Sequence, residues 1–289
     1  MEDLFHVPVL LEEVIQGLIS EKTRIFVDAT LGCGGHSYEI LRRYKFVKII
    51  GFEIDEEQME LARERLKPFS GRITILRENF RSIDVILRKI GIEEVDSVLF
   101  DLGVSSYQLS SKRGFSFYED EFLDMRMDKR GVLTAFDIVN TYPLRKLKEI
   151  IEKYGEEKEA SRIAKAIVEA RRERKITTAK ELAEIIIHAK RKKGKIHPAT
   201  LTFQALRIAI NEELDNLKAG LCRATEILKK GGRIGVISFH SLEDRIVKGF
   251  FKDEKSLRVL TKKPIVPKKK EILQNPRSRS AKLRIAEKI

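Results

Sequence analysis

The stretch from Ile25 to His36 constrains the fold more than any other part of the chain. It begins with three β-branched or aromatic residues, Ile25 to Val27, which predict a buried strand, and an acid, Asp28, follows directly. A loop with glycines at positions 32, 34 and 35 comes next, and residues 37–44 have the apolar spacing of a helix. Strand, glycine loop and helix form the first unit of a nucleotide-binding α/β sheet, because glycine lets the backbone turn sharply and approach a ligand.

This loop does not match the phosphate-binding patterns. No Gly-Lys-Ser/Thr triplet opens the helix, and the segment from Gly32 to Ser37 places its third glycine too early for Gly-x-Gly-x-x-Gly. A second predicted strand, residues 48–52, leads into Glu53, about twenty residues beyond the loop, where a carboxylate can accept hydrogen bonds from two ribose hydroxyls. Two strand-end acids without a phosphate cradle suit S-adenosylmethionine, which is cationic at sulfur and has no phosphate. The alternative is a cluster of loop glycines beside an exposed glutamate.

The first third of the chain alternates strands with helices. Further strands are predicted at residues 73–76 and 95–100, and helices at 9–19, 55–67 and 83–90. Regular order returns late in the chain, with a helix at 221–229, a glycine turn at 231–232, a strand at 233–238 and a final antiparallel pair at 257–261 and 282–286.

The middle of the chain has a different character. Residues 111–215 have helical periodicity and no convincing strand; helices are predicted at 143–154, 158–174, 178–191 and 202–217. Thr178 is a plausible N-cap, since Glu181 follows three residues later. We therefore predict an α/β protein with a Rossmann-like, class I methyltransferase sheet, mostly parallel with its last strand antiparallel. The cofactor-binding domain comprises residues 1–110 and 216–289, and an all-helical domain, 111–215, is inserted for substrate recognition.

Functional side chains are expected at one edge of the sheet. Asp28, Glu53, Phe80, Asp101 and Ser238 all lie at or just beyond the ends of predicted strands. Ligands of open α/β sheets bind beyond the carboxyl ends of the strands. Their convergence on one edge is stronger support for a site than any one of them alone.

The positive charge is unevenly distributed. The 289 residues carry a net charge of +13, yet residues 1–110 carry −5, residues 111–215 and 216–261 carry +5 each, and residues 262–289 carry +8. This asymmetry fits a polyanionic substrate, and the segments Lys262–Lys270 and Arg277–Arg284 are expected to contact it. The alternative is a solvated basic tail without a partner.

Other composition features exclude several classes of protein. Cys33 and Cys222 lie far apart, so neither a disulfide framework nor a metal-ligand cluster is expected. No run of about 18 apolar residues predicts a membrane span. The N-terminus has no basic segment followed by an apolar one. A cytoplasmic protein without membrane or metal partners is expected; the oligomeric state is left open, and a homodimer is compatible with the sequence.

The segment from Asp101 to Gln108 is the catalytic candidate. In sheet enzymes that methylate exocyclic amines, this position usually carries Asp/Asn/Ser-Pro-Pro-aromatic. An aromatic amine is a poor nucleophile, so hydrogen-bond acceptors must orient its NH₂ group towards the methyl group. Asp101 could supply that acceptor or hold the cofactor's amino group, and Gly103 allows close backbone approach. The alternative is that Asp101 caps the following turn.

Nine motifs in order resemble the bacterial 16S ribosomal RNA cytosine-N4 methyltransferases over nearly the whole chain. These motifs are His6–Glu13, Asp28–Ser37, Asp101–Ser106, Arg113–Phe117, His197–Thr200, Phe203–Arg207, Asn211–Leu214, Ile237–Arg245 and Asn275–Arg284. The resemblance implies S-adenosylmethionine as the methyl donor and a decoding-region cytidine of 16S ribosomal RNA, within the small ribosomal subunit, as the substrate. It also implies an inserted helical domain.

The resemblance assigns roles to individual residues. The implied cofactor contacts are Gly34, Gly35, His36, Glu53, Phe80, Asp101 and Gln108. Among them, the glycines and His36 face the methionine end, Glu53 holds the ribose and Phe80 lies by the adenine. Asp101 and Gln108 are placed near the reacting centre.

Substrate contacts are less determined. Ser105, Ser106, Phe239 and His240 are the candidates. Leu102-Gly103-Val104 replaces Pro-Pro-aromatic, in this chain as in the family, so the aromatic residue that stacks on the target base is open among Tyr107, Phe115, Phe117 and Phe239. His240 could accept the proton that the amine loses, or it could be a loop histidine bonded to the structure.

Two other functions compete with methyl transfer. A nicotinamide-dependent oxidoreductase could use a similar sheet, but Gly-x-Gly-x-x-Gly is missing. A non-catalytic RNA-binding or assembly factor could retain a vestigial sheet, but the set Asp28, Glu53 and Asp101 is intact.

Overall fold

A computed structural model of the chain describes residues 8–118, 120–191, 194 and 196–289. His6 and Val7, the first two residues of the first motif, lie outside this range. The chain divides into two compact units, Met1–Gly103 with Leu214–Ile289, and Val104–Glu213. No helix in the described ranges has both the length and the apolarity needed to cross a membrane.

The first unit is built on one seven-stranded sheet. Its strands are β1 Ile25–Asp28, β2 Lys48–Phe52, β3 Ile73–Leu76, β4 Val95–Asp101, β5 Leu228–Ser238, β6 Leu257–Val259 and β7 Lys282–Lys288. They are arranged in the order β3-β2-β1-β4-β5-β7-β6. Strands β1 to β5 pair in parallel, whereas β7 runs antiparallel to both β5 and β6. The predicted class, a mostly parallel sheet with an antiparallel last strand, is confirmed.

Thirteen helices are found in the described residues, numbered here in chain order. The first four are α1 Leu11–Leu18, α2 Gly35–Arg43, α3 Glu56–Leu66 and α4 Ile83–Lys89. The second unit contributes α5 Ser106–Ser110, α6 Ala135–Thr141, α7 Leu144–Gly155, α8 Ala160–Glu173, α9 Ala179–Ala189 and α10 Thr200–Asn211. The last three are α11 Glu213–Ile227, α12 Ser241–Asp253 and α13 Lys269–Gln274.

Both faces of the sheet are buried, as the apolar runs of its strands predict. Val27 and Val98 pack with Leu221 of α11 in one apolar cluster. The neighbouring residues Phe26 and Leu99 point to the opposite face and pack in a second cluster with α1 and α2. Because successive residues of a strand face opposite sides, a strand covered on both sides must be apolar throughout. The acids Asp28 and Asp101 lie at strand ends, where this requirement no longer holds.

Two details differ from the sequence prediction. The helix predicted over 202–217 is broken at Glu212, whose φ of 49° is left-handed, so α10 ends at Asn211 and α11 begins at Glu213. The turn predicted at Gly231–Gly232 lies inside β5, which already pairs at Leu228 and shifts register before Arg233. Gly231, with φ of 77°, permits this bulge because glycine adopts positive φ without steric cost. Apolar periodicity could not predict the helix break at Glu212 or the bulge at Gly231, because the apolar pattern continues across both.

The second unit is helical, with an apolar core of its own. Leu147, Ile163, Leu182 and Phe203, from four different helices, are buried together in this core. The predicted N-cap is confirmed: the Thr178 hydroxyl accepts from the backbone N–H of Glu181, and the Glu181 carboxylate accepts from the backbone N–H of Thr178. Helices α5 and α6 were not predicted from the sequence, and neither were α12 and α13 of the first unit.

Candidate active site

The edge formed by the carboxyl ends of the parallel strands collects the predicted acids. Asp28 is the last residue of β1, Asp101 the last of β4 and Ser238 the last of β5, while Glu53 follows β2 directly. Since β1 pairs with both β2 and β4, the three acids lie at the ends of adjacent strands. Phe80 begins a short 3₁₀ turn shortly after β3.

Glu53 ties the glycine loop to the sheet. Its Oε2 atom accepts from the backbone N–H of Gly32 at 2.7 Å, and its Oε1 atom accepts from that of Asp55 at 2.8 Å. Burial raises the pKa of this carboxyl group to about 7. Each carboxylate oxygen can accept more than one hydrogen bond, so the same oxygens retain capacity for ribose hydroxyls.

The glycines of the loop are required by packing as well as by backbone conformation. Gly34 has a φ of 77°, and a Cβ atom there would lie 2.9 Å from the Leu66 side chain. A Cβ atom on Gly35 would lie 2.9 Å from the ring of Pro8. The loop therefore packs against protein atoms at these two positions, a constraint that the motif alone does not show.

His36 connects the loop helix to Asp101. The side chain is buried, and its Nε2 atom lies 3.0 Å from the carbonyl oxygen of Val9. Because a carbonyl oxygen only accepts, Nε2 carries the hydrogen, and Nδ1 of the neutral ring is left as an acceptor. That Nδ1 atom lies 3.5 Å from Oδ2 of Asp101. Burial lowers the pKa of His36 to about 4, so the ring is neutral at pH 7.

Asp101 lies in a strongly acidic environment. Burial, together with the charges of Asp28 and Glu243, raises its pKa well above the ordinary value. Its backbone N–H donates to the Thr30 hydroxyl at 2.6 Å. Its Oδ1 atom is buried without a hydrogen-bond partner among the described residues.

Asp28 also has a buried carboxylate oxygen without a hydrogen-bond partner in the described part of the chain. Its Oδ2 atom accepts from the Ser37 hydroxyl at 2.7 Å, while Oδ1 is buried and has no partner in the described part of the chain. Burial raises the pKa of this carboxyl group to about 6. Buried acceptors normally have partners. The roles of Thr30 and Ser37 were not predicted, although both lie in the Asp28–Ser37 motif.

The two unsatisfied oxygens provide a test of fit for the predicted cofactor. Those of Asp28 and Asp101 lie at the ends of neighbouring strands and call for a ligand with positive charge or N–H donors. S-adenosylmethionine carries an ammonium group and a sulfonium group, and its ribose hydroxyls suit Glu53. The carboxylate acceptors of this edge therefore fit the donors and positive charge of the cofactor.

Phe80 is held in place by α11. Its ring meets that of Phe100 edge-on, with centroids 5.3 Å apart. A Cβ atom on Gly220 would lie 2.7 Å from the Phe80 ring. The absence of a side chain at position 220 therefore sets the position of the ring predicted to lie beside the adenine.

Phe239 and His240 follow β5. Gly103 has a φ of 92°, and a Cβ atom there would lie 3.4 Å from the Phe239 ring. His240 is the N-cap of α12: its Nδ1 atom accepts from the backbone N–H of Glu243 at 3.4 Å, and its Nε2 atom lies 3.2 Å from the Glu243 carboxylate. The Nδ1 contact fits a bonded loop histidine, but Nε2 is buried and has no hydrogen-bond partner among the described residues, so a role for His240 as proton acceptor stays a prediction.

The remaining predicted residues belong to the second unit. The Ser105 hydroxyl accepts from the backbone N–H of Gln108, and Oε1 of Gln108 accepts from the backbone N–H of Ser105, which caps α5. Ser106 is the first residue of that helix. Phe115 is buried in the core, and Phe117 stacks on His197 with ring centroids 4.2 Å apart. The contacts proposed for Ser105, Ser106 and Gln108 stay predictions.

The basic tail divides into paired and exposed cations. Lys282 and Arg284 lie in β7 and contact Asp244 at 3.2 and 2.7 Å, so neither is a free phosphate ligand. Lys288 is half-buried and donates to the Thr225 carbonyl at 2.8 Å. The other seven cations of the tail have exposed side chains, and one of them, Lys268, lies 3.8 Å from the Glu13 carboxylate: Lys262, Lys263, Lys268, Lys269, Lys270, Arg277 and Arg279. The expectation of RNA contacts over Arg277–Arg284 therefore narrows to Arg277 and Arg279.

Comparison with known proteins decides the family. The model of the MraW methylase family matches residues 3–289. The chain belongs to the MraW methylase family. Membership confirms the predicted resemblance, the enzyme class, a methyltransferase, and the methyl donor, S-adenosylmethionine.

Curated relatives match along their full length. One from Persephonella marina, named ribosomal RNA small subunit methyltransferase H, is 50% identical over 98% of this chain and 99% of its own. A relative of the same name from Carboxydothermus hydrogenoformans is 48% identical over 98% of each chain. Among solved structures, a putative methyltransferase from Streptococcus mutans in complex with SAH is 15% identical, covers 98% of this chain and 100% of its own, and has a TM-score of 0.47.

Proposed function

We propose that this methylase transfers a methyl group from S-adenosylmethionine to N4 of a cytidine in the decoding region of 16S ribosomal RNA, within the small ribosomal subunit in the cytoplasm. The observation that carries the proposal is the Asp101 carboxylate at the end of β4, with a buried oxygen that has no partner in the described chain. The name shared by the curated relatives supports ribosomal RNA as the substrate.

The first unit provides the groups that would hold the cofactor. Glu53 accepts hydrogen bonds from the ribose hydroxyls, and Phe80 lies against the adenine. Asp28 and Asp101 face the positively charged methionine end, where their unsatisfied oxygens find donors. Gly34 and Gly35 shape the loop, and His36 orients Asp101. When bound, the cofactor supplies an electrophilic methyl group.

Asp101 is the residue that prepares the amine. The lone pair of a cytosine amino group is delocalised into the ring, so the nitrogen attacks only when it is drawn towards tetrahedral geometry. A carboxylate that accepts a hydrogen bond from the NH₂ group does this and fixes its direction. The protein supplies the acceptor on a rigid central strand of the sheet.

The charge distribution suits a large polyanion. The exposed cations of residues 262–279 can bind phosphates without reading sequence. Residues 111–215, 216–261 and 262–289 carry net charges of +5, +5 and +8, whereas the first 110 residues are acidic. The target base is then selected by the fold of the RNA rather than by a linear sequence.

The direct test is methyl transfer in vitro. Purified small subunits that lack the modification are incubated with the protein and methyl-labelled S-adenosylmethionine. We expect label in 16S ribosomal RNA with the wild-type protein and none above background with Asp101→Ala. Transfer to free cytidine or to 23S ribosomal RNA at the same rate would contradict the proposed substrate.

A further inference from the structure

Two acceptors face each other beside the catalytic candidate. The Nε2–H group of His36 donates to the Val9 carbonyl, so Nδ1 is left with a lone pair, and this atom lies 3.5 Å from Oδ2 of Asp101. A lone pair and an ionised carboxylate oxygen repel one another. The arrangement is favourable only when one proton lies between them.

The groups around Asp101 favour the same conclusion. Asp28 faces it from β1, His36 from α2 and Glu243 from α12, and two of these three are acids. No lysine or arginine forms an ion pair with Asp101 in the described ranges. Burial and the two neighbouring charges raise the pKa of Asp101 well above its usual range. A cation that binds at this edge offsets the neighbouring negative charges, and Asp101 then no longer needs to hold the proton.

We propose that His36 is a positioning residue that keeps one proton between its Nδ1 atom and Asp101 in the cofactor-free enzyme, and that this proton passes to solvent when the cationic cofactor binds. The inference rests on the proposed cofactor site. Cofactor binding would then also prepare Asp101 for the reaction, because loss of the proton converts its carboxyl group into a pure acceptor. This is the form that can accept a hydrogen bond from the target amine.

A pair of ligands isolates the charge responsible. S-adenosylmethionine and S-adenosylhomocysteine share the adenosine and the amino-acid group, but only the first has a positive charge on sulfur. Proton changes at Glu53, at Asp28 or at the ligand's own amino group are therefore largely common to both. The difference in proton release between the two ligands reports on the groups next to the sulfur.

The experiment is calorimetric titration of the cofactor-free protein near pH 7 in several buffers of different ionisation enthalpy. The dependence of the binding enthalpy on that of the buffer gives the number of protons released. We expect the wild-type protein to release up to about one proton more with S-adenosylmethionine than with S-adenosylhomocysteine, as the linkage between pKa and binding requires. Asp101→Asn, which has no titrating group, should show no difference between the ligands.

A matched control and two variants of His36 complete the design. Glu39→Gln removes a carboxylate that is paired with Arg42 and Arg43 on the same helix, and should behave as the wild type. His36→Phe removes the acceptor and should reduce the difference, whereas His36→Gln, which keeps an acceptor, should retain it.

Equal proton release with both ligands in the wild-type protein would overturn the inference, as would a difference that persists in Asp101→Asn. An unchanged difference in His36→Phe, with the fold intact by circular dichroism, would remove His36 from the account. Failure of either ligand to bind would contradict the cofactor site itself, which separates that outcome from failure of the proton linkage.

Discussion

The Nδ1 atom of His36 lies 3.5 Å from Oδ2 of Asp101, while its Nε2 atom lies 3.0 Å from the Val9 carbonyl. One buried imidazole thereby connects three motifs that are far apart in the sequence: the segment before α1, the glycine loop and the end of β4. In the proposed mechanism His36 therefore acts through Asp101, while its own cofactor contact stays a prediction.

Glu53 is the first residue to test for cofactor affinity. Glu53→Ala removes a charged acceptor from the ribose site and should weaken S-adenosylmethionine binding by about ten- to a hundredfold, since such bonds contribute roughly 1.5–3 kcal/mol. It also leaves the N–H groups of Gly32 and Asp55 without their acceptor. Glu56→Ala, which removes a nearby exposed acid paired with Arg77, is the matched control and should bind normally. Equal affinities by calorimetry would remove Glu53 from the site.

Asp28 should make the cofactor-free protein less stable as the pH rises. Its pKa is about 6 in the fold against an ordinary value of 3.8, so the folded state binds more protons than the unfolded state between these values. Stability is therefore lost from about pH 4 to pH 6, at roughly 1.4 kcal/mol for each pH unit. Asp28→Asn removes this loss. In urea unfolding, the free energy of unfolding of Asp28→Asn relative to that of the wild type should increase between pH 5 and pH 7.5. A difference between the two proteins that stays constant over this range would contradict the burial effect.

Gly220 should influence the cofactor through Phe80. In Gly220→Ala the added methyl group would lie 2.7 Å from the Phe80 ring, so the ring must move. Overpacking of this kind costs about 1–3 kcal/mol of stability. We also expect several-fold weaker S-adenosylmethionine binding. Gly249→Ala in α12, where an added Cβ meets no atom within 4 Å, is the control and should leave binding unchanged. Normal binding by Gly220→Ala would mean that Phe80 does not contact the cofactor.

The exposed tail cations should govern the salt dependence of RNA binding. Replacing Lys269, Lys270, Arg277 and Arg279 with glutamine should flatten the plot of log affinity against log salt by about 0.7–0.9 for each phosphate that is no longer neutralised. Cofactor affinity should not change. A control that replaces Arg42, Arg63 and Lys218, which are paired with acids on their own helices, should keep the wild-type slope. An unaltered slope in the tail variant would assign these charges to solubility.

The strand-end acids could be predicted because their positions follow from local pattern. An apolar run followed by Asp28, Glu53 or Asp101 fixes each acid at a strand end, and strand order in such sheets brings the ends together. The helical insertion is predicted for the same reason, since its periodicity changes from that of strands to that of helices.

Other features depend on contacts between distant residues and could not be predicted. The bond of His36 to Val9 spans 27 positions, and that of Arg284 to Asp244 spans 40. The second contact places a tail arginine in the fold rather than on an RNA-binding surface. Likewise, the motif predicts glycine at positions 34 and 35, but only the structure shows Leu66 and Pro8 packed against them.

The measurement that tests the central claim most directly is mass spectrometry of 16S ribosomal RNA from cells that lack this protein, complemented with either the wild-type chain or Asp101→Ala. We predict that one decoding-region cytidine lacks its N4-methyl group in the deficient cells and that the wild-type chain restores it. Asp101→Ala, present as a folded protein, should methylate this cytidine at no more than about a hundredth of the wild-type rate, the loss typical of a transition-state hydrogen bond. An N4-methyl group that persists without the protein, or that Asp101→Ala restores at the wild-type rate, would contradict the account.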